Sequence, residues 1–441
     1  MSKQNIQDFN VSEMQKAFKL DERKITSDKQ NDEEIPVHWK LVQFGDVCSL
    51  RKETVQPSEN QHTNYIGLEH IDSGTPYLNR WGTASEVTSS KSKFYTGDVL
   101  YGKLRPYLDK AIFAEFDGIC STDILVFVSS IQLISTFLSY FVHTRQFLDY
   151  AIQSTHGVNH PRTSWSSLAK YQFSLPPLPQ QQAIAHVLQT VQEAIQTRRD
   201  ELDLELECKA ALMEYLFTHG ARGETTKQTD VGKMPASWQF VRLGDVCNIR
   251  YGLGQPPALD SNGVPMIRAT DIKGGRIVSS TVIRVKRDAI PEKRNPFLKR
   301  GDIIVVRSGA YTGDVAIYDG RWELAIAGYD LVVSPTNDEI DMAFMAQYLL
   351  GNSAQNYFRS QRDRSAQPHL NADQLSHTVV PLPLLPEQQL ISQALNACDA
   401  KISTMEQEVT LLEELFRAFL DELMTGRLST LPLIKEGGIH E

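Results

Sequence analysis

The chain has 441 residues, 41% hydrophobic and 22% charged, with a formal net charge of -9, long enough for two or three domains of roughly 100–200 residues each. No apolar run approaches the roughly 20 residues of a membrane span, and the opening MSKQNIQDFN has no signal-peptide character, so the expected setting is cytoplasmic with no membrane contact. Cys48, Cys120, Cys208, Cys247 and Cys398 form no C-x-x-C pair, which argues against a zinc site or disulfide framework and for reduced, mostly buried thiols.

In chain order, residues 1–34 read as a frayed N-terminal extension that carries one short amphipathic stretch, VSEMQKAFKL. A first β-rich domain spans 35–175. Its apolar runs GDVLYGKL (97–104) and DILVFV (123–128) are punctuated as strands are, and STFLSYFVHTRQFLDYAI (135–152) has helical spacing. Residues 176–233 form a long helix and linker. A second β-rich domain, 234–382, repeats the order with GDIIVVRSG (301–309), DLVVS (330–334) and the helical stretch 342–358, which Gly351 weakens. A second long helix (383–427) and a C-terminal tail (428–441) close the chain.

The two halves are one unit written twice. LPPLPQQQAIAHVL (175–188) returns as LPLLPEQQLISQAL (382–395), and the same offset of 207 matches Asp123 to Asp330, Phe137 to Phe344 and Leu168 to Leu375. Upstream, IPVHWKLVQFGDVCSLR (35–51) meets MPASWQFVRLGDVCNIR (234–250). A period near 200 residues is too long for a solenoid and marks a domain duplication. Strands followed by helices, twice, make the fold class α+β.

Proline lacks the donor that a first-turn residue leaves unpaired, so Pro179 and Pro386 suit the first helical position. The spacing predicts helices over 180–218 and 387–425, stopped at Gly220 and Gly426. Apolar residues four and three apart, from Ile391 through Leu395, Ile402, Phe416 and Phe419 to Leu423, make a coiled-coil seam. The first copy follows through Ile184, Leu188, Val191 and Ile195, meets Arg198, and after Leu202 steps to Leu206, Lys209, Met213 and Leu216. Two such helices packed on each other are expected between the β-rich domains.

Catalysis has no visible seat: there is no phosphate-cradling loop, no metal-ligand spacing, no G-x-S-x-G elbow, and YGLGQPP (251–257) reads as a turn rather than a dinucleotide site. Binding chemistry is easier to find. YGKLRPYLDK (101–110) interleaves Lys103, Arg105 and Lys110 with Tyr101 and Tyr107. RVKRDAIPEKRNPFLKR (284–300) holds Lys286, Arg287, Lys293 and Arg294, and RSQRDRSAQPH (359–369) holds Arg362, Arg364 and Gln367. Basic stretches in an acidic chain suggest a nucleic-acid face, although a solvated charge run is the plain alternative for any one of them. Asn159 and Arg162 in the first domain, and Arg268 and Arg307 in the second, complete the set of candidate DNA-binding residues.

Carried by the duplicated P-x-x-W entry (Pro36, Trp39; Pro235, Trp238), the Gly-Asp strand starts and the two proline-helix entries, the chain resembles the specificity subunits of type I restriction-modification systems over almost all of 35–427. The resemblance implies two target recognition domains that each read half of a split site in double-stranded DNA. It also implies long helices that pack antiparallel and dock two adenine methyltransferase subunits and, through them, a restriction translocase. Such a subunit is not an enzyme and holds no cofactor; S-adenosylmethionine and ATP belong on the partner subunits. One departure is Gln180, where such proteins usually carry the glutamate seen here at Glu387. Two rival readings remain: a self-contained methyltransferase or nuclease, for which the chain lacks the [DNS]-P-P-[YF] motif, and a coiled-coil scaffold that does not touch DNA.

Overall fold

The computed structural model describes residues 38–57, 63–229, 232–291, 295–362 and 369–436; the N-terminal extension with its amphipathic stretch lies outside them. The chain forms two compact units, one running up to Arg199 and resuming at Gln407, the other from Asp200 to Glu406.

Each unit is organised around a four-stranded sheet. In the first unit its strands are β1 (Cys48–Leu50), β2 (Val99–Gly102), β3 (Ala111–Phe113) and β4 (Ile124–Ser129), in the order β1-β4-β2-β3. In the second they are β5 (Cys247–Tyr251), β6 (Ile303–Val305), β7 (Val315–Ile317) and β8 (Leu331–Pro335), in the same order β5-β8-β6-β7. All neighbours are antiparallel. These strands read as unbroken apolar runs because both faces are covered. Val99 and Tyr101 enter one core and Leu100 enters another, and Ile303 and Val305 part from Ile304 and Val306 in the same way.

One face of each sheet meets helices. The stretches expected as single helices are each two: α1 (Ser135–Phe141) and α2 (Arg145–Gln153) in the first unit, α4 (Met342–Leu350) and α5 (Asn352–Arg362) in the second. The break falls at equivalent places, Thr144 and Gly351. In the first copy no glycine announces it; the Thr144 hydroxyl donates back to the Phe141 carbonyl at 2.7 Å, offering the backbone an alternative to the next helical turn.

The long helices are α3 (Leu178–His219, 42 residues) and α6 (Leu385–Met424, 40 residues). The bond from the Gln180 amide to the Pro177 carbonyl makes Leu178 the first helical residue. Pro179 and Pro386 therefore stand at the second position, not the first. The cost is the same, since an amide there also lacks an intrahelical acceptor. Gly220 and Gly426 end the helices in left-handed conformation, with φ of 70° and 74°.

Within each unit, segments of the two helices pack antiparallel. In the first unit Ile184, Leu188, Val191 and Ile195 share a core with Phe416, Phe419 and Leu423, and Arg198 pairs with Glu408 at 3.1 Å. In the second, Lys209 pairs with Asp399 at 2.6 Å and Glu205 with Lys401, so numbers fall along one helix as they rise along the other. The cations that interrupt the first seam thus meet acids on the facing helix. Leu206 departs from the expected seam: it is 46% exposed, because the extra four-residue step turns it off the packed stripe.

The sequence repeats are explained by bonds that recur in both copies. Trp39 Nε1 donates to Gln180 Oε1 at 2.8 Å, and Trp238 Nε1 to Glu387 Oε2 at 3.1 Å, so P-x-x-W and the proline entry are two sides of one contact, which glutamine serves as well as glutamate. The next residue goes deeper. Gln181 donates to the Pro176 and Gln132 carbonyls at 2.8 and 2.9 Å and accepts from the Ile134 amide at 2.8 Å. Gln388 donates to Pro383 and Glu339 carbonyls at 2.9 and 3.2 Å and accepts from the Asp341 amide at 2.8 Å. Both glutamines are 1% exposed. A third pair locks each sheet: Arg51 Nε lies 2.8 Å from Asp98 Oδ2, and Arg250 Nη2 lies 2.7 Å from Asp302 Oδ2.

Removing a buried group that satisfies three backbone partners strands those partners. Gln388→Ala is expected to destabilise the second unit by about 2–4 kcal/mol, at about 1–3 kcal/mol per stranded group with partial rescue by water, measured by chemical denaturation; Gln389→Ala, at an exposed neighbouring position, is the matched control and should change little.

Candidate nucleic-acid interface

In the first unit the basic stretch after β2 is sorted by the backbone. Tyr101 belongs to the core, 1% exposed and stacked on Phe127 at 5.5 Å between ring centroids. Lys110 is turned inward, its ammonium donating to the Leu68 carbonyl at 2.6 Å. What faces outward is Arg105 and, on the turn Pro106–Leu108, Tyr107, which is 53% exposed. Arg105 and Asp109 flank that turn with φ of 50° and 49°. Left-handed backbone is costly for residues with a Cβ and persists only where the surroundings enforce it. Here the Arg105 amide donates to the Pro161 carbonyl at 2.7 Å, and Asp109 Oδ1 lies 2.8 Å from His143 Nδ1.

That bond to Pro161 brings a second segment alongside. Asn159 lies on the fully exposed loop His156–His160, next to Val158. Lys103 sits between the segments, its amide bonded to the Asp123 carbonyl at 2.9 Å and its carbonyl accepting from Thr163 at 3.1 Å. Arg162 grips the Asp123 carboxylate through Nε and Nη2 at 2.9 and 3.1 Å. The Arg162 guanidinium holds the Asp123 carboxyl below its ordinary range. Arg105, Tyr107 and Asn159 are therefore presented together, while Arg162 is engaged internally.

The second unit sorts its candidates similarly. Arg268 closes on Asp271 at 3.1 and 3.0 Å and also donates to the Thr281 carbonyl at 2.8 Å. Lys286 and Arg287 are exposed. Lys293, Arg294, Arg364 and Gln367 lie outside the described residues, as does the side chain of Arg362, whose backbone ends α5.

Arg307 is placed differently. Its guanidinium carbon lies 3.7 Å from the Tyr329 ring centroid and 4.9 Å from that of Tyr251. Tyr329 and Tyr251 are 47% and 41% exposed. Neither tyrosine was a candidate from sequence. Tyr251 closes β5 and stands opposite Leu331 of β8, which brings it near Tyr329 only once the sheet forms. The YGLG segment is also more than a turn: a Cβ on Gly252 would lie 2.0 Å from the Gly328 carbonyl oxygen, so glycine is required for the two backbones to approach.

Asp330 follows Tyr329 and is the counterpart of Asp123. Its Oδ1 accepts from the Arg307 amide at 3.3 Å, and its buried Oδ2 has no hydrogen-bond partner. Among the described residues no arginine pairs with it as Arg162 does with Asp123: the position of Arg162 is taken by His369, which bridges to Ser308 as Arg162 does to Leu104. Burial pushes the Asp330 carboxyl up to about 6, against the pull of the Arg307 amide and charge. The His369 imidazole is held below its usual range by burial and then by the Arg307 charge.

Two stretches, residues 36–207 and 235–414, match the family model described as the type I restriction modification DNA specificity domain. The chain belongs to the type I restriction-modification DNA specificity family. It carries two specificity domains in tandem, and its role is recognition rather than catalysis, as a subunit of a type I system. It is similar to the EcoDI specificity subunit of Escherichia coli, 30% identical over 196 residues, a match covering 44% of this chain and 44% of that relative. It is 22% identical over 417 residues to the MjaVIII specificity subunit of Methanocaldococcus jannaschii, covering 89% of this chain and 94% of that one. The fold matches the S subunit of a type I system from M. genitalium with a TM-score of 0.58 at 14% identity, covering 90% of this chain and 97% of that one. A second match, to a structure describing complex assembly and conformational transition of the type I system, has a TM-score of 0.53 at 20% identity, covering 90% and 100%. Among the described residues no helix is long and apolar enough to cross a membrane, and no group of three His, Cys, Asp or Glu is placed to hold a metal. Of the five thiols, Cys48, Cys120 and Cys247 are buried while Cys208 is exposed.

The Asp330 carboxyl titrates near 6 in the folded chain against an ordinary 3.8, so the folded state holds its proton more tightly than the unfolded one. Its contribution to stability improves as pH falls from above 6 toward 4, and at neutral pH the buried carboxylate costs up to about 3 kcal/mol. Asp330→Asn keeps the acceptor for the Arg307 amide and should stabilise the second unit at pH 7–8 by about 1–3 kcal/mol, flattening the pH dependence between 4 and 6 in thermal melts.

Proposed function

We propose that each unit reads one half of a bipartite site in double-stranded DNA, and that α3 and α6 dock two adenine methyltransferase subunits and, through them, a restriction translocase. S-adenosylmethionine and ATP belong to those partners, and the assembly works in the cytoplasm.

One observation supports two separate readers most strongly. The bonds that build each unit recur residue for residue: Trp39 and Trp238, Gln181 and Gln388, Arg51 with Asp98 and Arg250 with Asp302. The outward side chains do not recur. Arg105, Tyr107 and Asn159 mark the first unit, and Arg307 between two tyrosines marks the second. A shared scaffold with divergent outward chemistry is what two readers of different sequences require, because phosphate contacts position a protein while base contacts specify the sequence.

Exposed Lys286 and Arg287, with neighbouring Lys293 and Arg294, fit the positioning role. The remaining candidates in the 359–369 stretch, Arg362, Arg364 and Gln367, belong to the same proposal as DNA-contacting residues on their chemistry alone.

Replacing residues 35–175 with the corresponding domain of another family member is expected to change one half of the methylated site and leave the other intact, read by sequencing methylated genomic DNA; a change in both halves would contradict independent reading. Changing Lys286 and Arg287 to Ala should weaken binding to all sequences alike and reduce the log-log salt slope by up to about 0.9 per lost phosphate contact. An unchanged slope would make these two residues a solvated surface.

A further inference from the structure

Most arginines in the described part of the two units are already engaged by acids. Arg51 is held by Asp98, Arg162 by Asp123, Arg250 by Asp302 and Arg268 by Asp271. Arg307 is set up in another way. Among the described residues no carboxylate pairs with its guanidinium, and its buried Nε has no acceptor. Its orientation is instead fixed by two aromatic faces.

Three constraints converge on that side chain. The backbone is pinned at both ends, since the Arg307 amide donates to Asp330 Oδ1 at 3.3 Å and its carbonyl accepts from the Leu370 amide at 2.7 Å. The Tyr251 hydroxyl accepts from the Ala372 amide at 3.1 Å, which holds that ring in place. The Gly252 and Gly328 backbones approach too closely for any side chain at position 252. Stacking on aromatic faces fixes the plane of a guanidinium and costs it little of its hydrogen-bonding capacity. A cation that only neutralised a phosphate would need no such control of its plane. A base edge does: the O6 and N7 acceptors of guanine lie in one plane at a fixed separation and match two parallel N–H groups.

We propose that Tyr251, Arg307 and Tyr329 form a clamp that reads one guanine in the half-site served by the second unit. The inference rests on the proposed reading of DNA by that unit. The clamp lies where the first unit carries Lys103, whose single ammonium cannot make the same in-plane pair of bonds. The two units therefore differ in the kind of base contact made at this point of a shared scaffold. Tyr251 and Tyr329 act as positioning residues, and Arg307 is the group that touches the base.

The test uses the full chain with the methyltransferase subunit of its own system, selecting bound duplexes from a randomised library. Wild type should enrich two half-sites, one containing an invariant guanine. Arg307→Lys and Arg307→Ala should abolish the preference at that one position and weaken binding to the wild-type site by about 10- to 100-fold, with the other half-site unchanged. Arg307→Gln should move the preference toward adenine, whose N6 and N7 suit an amide. Tyr329→Phe, which keeps the ring, should retain the guanine, whereas Tyr329→Ala should blur it. Retention of the other base preferences within the same half-site shows that the second unit is folded in each variant. If Arg307→Lys and Arg307→Ala leave the guanine preference intact, whether or not all sequences bind more weakly, the clamp does not read a base. If wild type enriches no half-site at all, the reading of DNA by these units fails and the clamp fails with it, a result distinct from the loss of the clamp alone.

Discussion

The buried glutamine at each helix entry is the constraint on which the rest of each unit depends. Gln181 and Gln388 sit in the first turn of α3 and α6 and bond to backbone groups before the helix and in the loop that follows the last sheet strand. Buried backbone donors and acceptors must be paired, and side chains serve where no ladder reaches. One amide with two donors and an acceptor meets that need in a single place. The direction in which each helix leaves its unit is therefore tied to the sheet that carries the candidate reading loops.

This constraint separates two kinds of polar residue. Groups that recur in both copies face inward and build the scaffold: the tryptophan indoles, the glutamines and the arginine–aspartate pairs. Groups that differ face outward. At the strand-to-loop junction the scaffold carries a carboxylate in both copies, but Asp123 is neutralised by Arg162 while Asp330 stays buried with one oxygen unpaired. The first solution leaves a closed ion pair, the second a titratable group beneath a stacked arginine. Duplication followed by divergence is compatible with a fixed scaffold because the recurring bonds use none of the outward side chains, even where, as at Tyr251, an outward residue ends a sheet strand.

Much of this was legible in the residues alone. The repeat at 207 gave the duplication; proline entries and seam spacing gave two helices whose ends fell within a few residues of 178–219 and 385–424. Period and punctuation are local signals and survive into the structure. The burial of individual seam positions is not local, and Leu206 is exposed where an uninterrupted stripe would bury it. Composition also could not distinguish a free cation from an engaged one. Lys110, Arg162 and Arg268 read as outward donors, yet Lys110 and Arg162 are taken by a carbonyl and an acid distant in sequence, and Arg268 by Asp271 within its own turn. Tyr251 and Tyr329 carry no sequence signal because only strand pairing between β5 and β8 brings them to the same arginine.

The central claim is that one chain carries two independent readers on a repeated scaffold. Selection of bound duplexes from a fully randomised library by the wild-type chain with its methyltransferase partner tests it most directly. The account predicts two short conserved blocks of different sequence separated by a degenerate spacer of constant length. A single contiguous block, or equal enrichment of every sequence, would contradict it.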